Sequence, residues 1–225
     1  MFIRKDNTLK WGWIGFGALI TLALVFLGVF FFDVPLFDLI NNPACNSQVP
    51  DTTNSLCFVA LGLGKVFNWK LLLCLSVASV FVFFLYKAFA NEFDFRFAFV
   101  KIKNSYVFYV LLSILFACGI GKVLKVIIGR ARPIFADPTL FNMFSQSSEF
   151  NSMPSGHTVV CFATLVMLGM LFPRAKWATW TLAIIIGYSR VYVGAHWVGD
   201  VILGAFIGMV CADLTKALLK KINSK

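Results

Sequence analysis

Apolar runs separated by short polar intervals recur six times along the chain. No charged residue occurs from Trp11 to Phe32, a stretch that would span ~33 Å as a helix and so cross the hydrocarbon core. Further runs extend over about Leu71–Phe89, Tyr106–Ile128, Thr158–Leu171, Trp177–Val193 and Val198–Leu218. The pattern predicts an all-α polytopic membrane protein, a bundle of six transmembrane helices forming one unit over residues 1–225. Asp33–Asn68 is the longest polar interval, with Pro35, Asn41-Asn42-Pro43 and Pro50-Asp51 as breakers. Within it, Ser55–Phe67 is weakly amphipathic and is expected to lie on the membrane surface. After the second run, Lys87, Arg96, Lys101 and Lys103 are interleaved with Phe93, Phe95, Phe97 and Phe99, a mixture suited to a bilayer interface. Pro133 closes the third run, and a Phe-rich polar loop follows over 134–153.

Composition reinforces this picture. The 225 residues are 60% hydrophobic and 13% charged, with a mean hydropathy of +0.84, which excludes an ordinary soluble domain. A net charge of +10 would suggest nucleic acid in a soluble chain. Here most of the basic residues fall in the short intervals between apolar runs, where positive-inside bias accounts for them and no nucleic-acid partner is expected. With six spans, thirteen of the 20 Lys and Arg lie on the side of the termini, which places both termini in the cytoplasm. The basic residues before Trp11 resemble a signal peptide, but the apolar run is longer than a typical h-region and no small-x-small site follows it, so it reads as a retained span. Cys45 and Cys57 share the first loop and could pair in an oxidising compartment, stabilising it by ~3 kcal/mol. Cys74, Cys118, Cys161 and Cys211 lie in apolar runs and are expected to pack.

The basic residues that do not obey the bias carry the candidate chemistry. One group is Lys122, Lys125, Arg130 and Arg132 at the end of the third run; Lys125 and Arg132, seven apart, are expected to project from one helical face. A second is Pro154-Ser155-Gly156-His157, where a helix entrance leaves backbone N–H groups free for an anion. The third runs from Ser189-Arg190 to His196 and Asp200. His196 and Asp200, four apart, would stack so that the carboxylate holds one imidazole nitrogen and frees the other. Gly194 suggests a fold-back that brings Arg190 beside that imidazole. The only two histidines of the chain, His157 and His196, fall at the same predicted membrane face, each beside a cationic group. Three helix ends thus converge on a site suited to phosphate.

Lys125-x6-Arg132-Pro133, then Pro154-Ser155-Gly156-His157, then Ser189-Arg190-x5-His196-x3-Asp200 resemble, complete and in order, the three-part signature of the type 2 phosphatidic acid phosphatase superfamily. The resemblance implies a six-helix bacterial inner-membrane enzyme that removes a terminal phosphate from a lipid at the extracytoplasmic face without metal or other cofactor. It implies His196 as nucleophile, Asp200 as its orienting partner and His157 as general acid. It also implies that Lys125, Arg132, Ser155, Gly156 and Arg190 hold the phosphate. These roles agree with the chemistry of displacement at phosphorus, where charge spreads over three equatorial oxygens and preorganised cations and N–H donors lower the barrier.

Other readings use the same residues. A zinc hydrolase would ligate metal through His157, His196 and Asp200, but Lys125, Arg132 and Arg190 around a dication are electrostatically unfavourable. A non-catalytic lipid-phosphate binding or transport protein explains the cations but leaves the His-Asp pair and the second histidine without a purpose. Vanadium-dependent haloperoxidases resemble the same signature, yet six spans argue against one. The motifs do not separate phosphatidylglycerophosphate, polyprenyl diphosphate, phosphatidate and lipid A 1-phosphate as substrates. Lipid A 1-phosphate or another outer-leaflet phospholipid is the expected one.

Overall fold

The computed structural model describes residues 2–3, 8–45, 54–89 and 105–223. The basic and aromatic connector holding Arg96, Lys101 and Lys103 lies outside the described residues, as do Arg4, Lys5, Pro50, Asp51 and Lys225. Among the described residues the protein is helical and has no strand, only two isolated bridges. Its helices are α1 (Trp11–Leu27), α2 (Asp33–Ile40), α3 (Ser55–Val66), α4 (Trp69–Phe89), α5 (Tyr106–Ile128), α6 (Gly156–Leu171), α7 (Lys176–Tyr192) and α8 (Val198–Asn223).

Among the described residues, three helices are long and apolar enough to cross a bilayer: Trp11–Ile40, Tyr106–Ile128 and Val198–Ile222. A fourth is formed if Ser55–Val66 and Lys70–Val82, which meet at 47°, are one broken span. The first is longer than the apolar run predicts. α1 and α2 are joined by a π-helical turn, Gly28–Phe32, in which the Asp33 N–H reaches back to the Gly28 carbonyl. Pro35, expected to break the chain, instead sits in the first turn of α2. A proline there has no N–H for the carbonyl one turn back and needs room for its ring, which the wider turn supplies. The polar interval therefore begins at Asn41, and Asp33 belongs to the helix. Ser55–Val66 forms the expected helix, capped by the Asn54 side chain on the N–H groups of Leu56 and Cys57. A Cys45–Cys57 disulfide ties its first turn to the end of the α2 loop.

α6 is the centre of the bundle. It packs against α5, α7 and α8, and its buried residues run from Thr158 to Met167 without a gap. A helix that is apolar all round is stable only with neighbours on every side. Close approach to α8 depends on small residues: a Cβ on Gly208 would lie 2.5 Å from the Val159 carbonyl oxygen and 2.6 Å from the Phe162 Cβ. Neither neighbour can yield, because one is helix backbone and the other is fixed to it. Gly208→Val is accordingly expected to lower the thermal midpoint of the detergent-solubilised protein by well over 5 °C and to reduce its yield. The same substitution at Gly62, which has open space around it, serves as the control and should leave the midpoint within a few degrees.

Candidate active site

Three chain segments meet at one end of the α5–α6–α8 core. The first follows α5. Gly129 ends that helix in the left-handed region at φ 58°, and a Cβ there would collide with the Asn142 backbone, so glycine is required for both conformation and space. Arg130 to Arg132 then run extended and are bonded on both sides. The Ala131 N–H donates to the Leu140 carbonyl, Arg132 N–H to Glu149, and Ser152 N–H to Arg130. Because the helix has already ended, Lys125 and Arg132 do not share a helical face as their spacing suggests. Lys125 approaches from the last turn of α5, its Nζ donating to the carbonyl of Asn151 at 2.6 Å, while Arg132 approaches from the loop and donates to Ser148 and Ala195 carbonyls at 2.9 and 3.3 Å. The two are still close enough for the Arg132 charge to act on Lys125. Lys122 is exposed on α5 and takes no part.

The second segment is the entrance of α6. Ser155 is its N-cap residue and is fully buried, yet its hydroxyl does not cap the helix; it accepts a hydrogen bond from Thr158 Oγ1 at 2.9 Å. Gly156 and His157 begin the helix, and the Lys125 side chain passes over Gly156 at 3.4 Å from where a Cβ would stand. The helix end is thereby left with unengaged N–H groups beside a lysine, an arrangement that attracts anions.

The third segment is the turn between α7 and α8, where Gly194 adopts φ 69° and the Ala195 N–H returns to the Arg190 carbonyl. The fold-back read from Gly194 is present, but its partner differs from expectation. Arg190, buried near the end of α7, donates to Ser189 Oγ and to the Ala60 carbonyl of α3, and its charge acts on His157. A Cβ on Gly64 of α3 would meet the Arg190 guanidinium, so α3 covers this side of the site. Arg190 therefore belongs with His157 rather than beside His196.

His196 lies just before α8, and its Nδ1 is 3.6 Å from Asp200 Oδ2. The same carboxylate oxygen accepts from Ser152 Oγ at 2.5 Å and from the Trp197 N–H at 3.0 Å, while Oδ1 accepts from Arg130 at 2.9 Å. Burial drives the His196 imidazole down to about 3; Asp200 opposes that fall, while Lys125 and Arg132 add to it. The ring is thus neutral across the physiological range, with a lone pair available. Burial likewise lowers the Arg132 guanidinium from its ordinary value, with Asp200 opposing.

A stability prediction follows from His196. Between about pH 6.5 and about pH 3 the unfolded chain takes a proton on this side chain and the folded protein does not, so stability falls as pH falls through that window. Thermal melting at neutral and acidic pH should show a larger loss for the wild type than for His196→Gln. Equal losses in the two proteins would remove His196 as the source.

Lys125 thus lies over Gly156, next to His157, and Arg132 reaches the Ala195 carbonyl, next to His196. Beside Arg132 and Ala195 a cleft of about 630 Å³ opens, walled in part by Asn41, Asn42, Phe135 and Glu149. That size falls in the range of small-molecule pockets. Sequence reasoning missed Asp33 and Ser152 and gave Arg130 no role of its own, yet all three are buried against Asp200 or its partner. One signal was available: an isolated carboxylate at the end of an apolar run, which rarely goes unpaired. Residues two apart in an extended segment share a side, so the spacing of Arg130 and Arg132 does not tell that one turns to Asp200 and the other to the loop.

The three segments bring Lys125, Arg132, the α6 entrance and the His196–Asp200 pair to one end of a helical scaffold, and comparison with known proteins gives the family. The PAP2 superfamily profile matches residues 106–224, more than half of the chain; the chain belongs to the PAP2 superfamily. It is 40% identical over 110 residues to a lipid A 1-phosphatase of Rhizobium johnstonii, covering 48% of this chain and 45% of that protein. It is 34% identical over 101 residues to an undecaprenyl-diphosphatase of Sulfolobus acidocaldarius, covering 44% and 48%. These matches span just under half the length of each relative. In fold it is similar to the crystal structure of a transmembrane PAP2 type phosphatidylglycerolphosphate phosphatase from Bacillus subtilis, with a TM-score of 0.62, 24% identity, and coverage of 93% of this chain and 96% of that one.

Proposed function

We propose that the protein is an integral-membrane lipid-phosphate phosphatase working through a phosphohistidine. The observation that carries this reading is that Lys125 lies over Gly156, next to His157, while Arg132 donates to the Ala195 carbonyl, next to His196, so an anion held by both cations would sit between the two histidine-bearing turns. In the first step the Nε2 lone pair of His196 attacks phosphorus, and the lipid alkoxide leaves with the electron pair of the broken P–O bond. His157 gives that oxygen a proton. Asp200 accepts the Nδ1–H and stabilises the imidazolium formed. Water then attacks the phosphohistidine, losing its proton to His157 as phosphate departs and returning the site to its starting state. Lys125, Arg132, Arg190 and the Ser155-Gly156 helix entrance hold the equatorial oxygens. Since these groups supply the positive charge, the reaction needs no metal.

The architecture proposed with this chemistry is a single unit of six spans with both termini in the cytoplasm of a bacterial inner membrane and the site at the opposite face. The basic-residue count supports it, as does the Cys45–Cys57 disulfide, which suits an oxidising compartment. α6 and α7, at 16 and 17 residues, are short for spans, but α6 is sheltered by its neighbours and needs less length than a helix facing lipid. The preferred substrate is lipid A 1-phosphate. The Rhizobium relative supports it, and the cleft beside Arg132 offers Asn41, Asn42 and Glu149 as hydrogen-bonding walls for a sugar head group.

The test is phosphate release by purified protein from lipid A 1-phosphate, undecaprenyl diphosphate, phosphatidylglycerophosphate and phosphatidate in mixed micelles containing excess chelator. Release from lipid A 1-phosphate that outpaces the other three is expected, with inhibition by vanadate as a mimic of five-coordinate phosphorus. Binding without release from any of the four would favour a lipid-phosphate carrier. Activity lost with chelator and restored by zinc would favour a metallohydrolase.

A further inference from the structure

Arg130 is among the largest side chains with no solvent exposure, and it sits between two carboxylates. Its Nη2 donates to Asp33 Oδ2 at 2.6 Å, its Nη1 to Asp200 Oδ1 at 2.9 Å, and its Nε to the Pro138 carbonyl at 3.0 Å. The rings of Phe141 and Trp197 pack near it, with centroids 5.9 and 5.6 Å from Cζ. Trp197 is pinned in turn, its indole N–H donating to the Ala131 carbonyl and its backbone N–H to Asp200. Asp33 uses its second oxygen to accept the Gly199 N–H at 2.8 Å. A chain of fixed bonds thus runs from the π-helical turn of the first span to the carboxylate beside His196.

The charges along this chain have a direction. An arginine alone beside Asp200 would draw the carboxylate's charge to itself, leaving less to stabilise an imidazolium at His196. A second carboxylate on the far side of the guanidinium shares that pull. The groups facing the His196 and Asp200 pair are Lys125 from α5, Arg130 and Arg132 from the following loop, and Ser152, with Asp33 one layer out behind Arg130. All the cations in this set disfavour an imidazolium, and Asp33 is the carboxylate that offsets one of them.

We propose that Arg130 and Asp33 are positioning residues for His196, acting through Asp200. Arg130 holds Oδ1 so that Oδ2 faces Nδ1, and Asp33 absorbs the share of the Arg130 charge that Asp200 would otherwise lose. The proposal rests on His196 being the attacking group. It differs from a simple ion pair stitching the first span to the bundle, because it requires charge balance as well as connection.

Four proteins separate these roles: wild type, Asp33→Asn, Arg130→Gln and the double variant. Asp33→Asn keeps the shape and an acceptor for Gly199 but leaves Arg130 pulling on Asp200 alone. Its kcat for a lipid phosphate is expected to fall at least tenfold with KM within about twofold of wild type, the signature of support given only in the transition state. Arg130→Gln leaves two facing carboxylates and should lose more. The double variant restores the net charge of the trio, so its kcat should recover at least tenfold over Arg130→Gln rather than showing the product of the two losses. Multiplicative losses, or a wild-type kcat in Asp33→Asn, would overturn the proposal.

A readout free of turnover covers a protein that hydrolyses none of the lipids. With two histidines in the chain, the 15N imidazole spectrum is assigned by His157→Gln. The Nδ1 resonance of His196 should move in Asp33→Asn and in Arg130→Gln and return toward its wild-type position in the double variant. If it is the same in all four, the coupling is absent whether or not the protein is a phosphatase. If it moves as stated while wild type releases no phosphate, the coupling stands and the phosphatase reading fails. Arg130→Lys gives the structural comparison should Arg130→Gln not accumulate. Lysine keeps the charge but cannot bond both carboxylates as a fork, so kcat should drop and the Nδ1 resonance should shift, and no change in either would count against the proposal.

Discussion

His196→Ala is expected to reduce turnover by roughly four orders of magnitude or more, with every substrate and at every pH. The ring is buried, neutral and placed with Nδ1 toward Asp200, so its removal takes away the attacking atom rather than adjusting it. Leaving-group quality should not rescue the variant. Nitrophenyl phosphate and lipid phosphate are expected to be lost together, and an acid-labile phosphoenzyme seen in wild type after rapid quench should be missing. A phosphoenzyme formed by His196→Ala would transfer the nucleophile's role to another residue. Because Asp200 also accepts from Arg130, Ser152 and the Trp197 N–H, the carboxylate remains partnered without the imidazole. The variant is therefore expected to fold, and its loss can be read as chemistry.

His157→Ala should give a different pattern, since it removes the proton donor and spares the attacking atom. A lipid alkoxide is a poor leaving group without a proton, and the loss there should be about 10²–10⁴-fold. Nitrophenolate leaves unaided, so its release should fall by less than about tenfold in the first step. The phosphoenzyme should form from nitrophenyl phosphate and persist, because the same residue serves as base for the attacking water. Stopped-flow release of nitrophenolate, with a burst followed by slow turnover, is the measurement. Equal losses for both substrates, with no burst, would sink the assignment.

Much of this site was legible in the residues themselves. Two histidines at the same ends of apolar runs, a serine and glycine at a helix entrance, and basic residues where positive-inside bias does not place them describe a phosphate site before any coordinates. The fold-back at Gly194 was legible too, since glycine marks it. What stayed hidden was tertiary. The spacing of Lys125 and Arg132 suggested a shared helical face, but Gly129 ends the helix between them and a loop completes the approach. Arg190 and His196 are close in sequence and seemed partners, yet α3 reaches in from far upstream to engage Arg190 through the Ala60 carbonyl. The triad of Asp33, Arg130 and Asp200 joins residues drawn from three separate segments, and no local periodicity records such a contact.

The π-helical turn at Gly28–Phe32 gives the first span a phase as well as a length. An α-helix advances ~100° per residue, so removing the extra residue of that turn would leave a straight, apolar helix of nearly unchanged reach while swinging Asp33 about a quarter-turn away from Arg130. A hydrophobic anchor tolerates any apolar residue and small changes in number; a helix whose rotation delivers a carboxylate to Arg130 tolerates the former and not the latter. Substitutions along the lipid-facing side of Trp11–Leu27 are then neutral variation, whereas a single insertion or deletion upstream of Asp33 acts at the opposite end of the chain's sequence, on the carboxylate of Asp200.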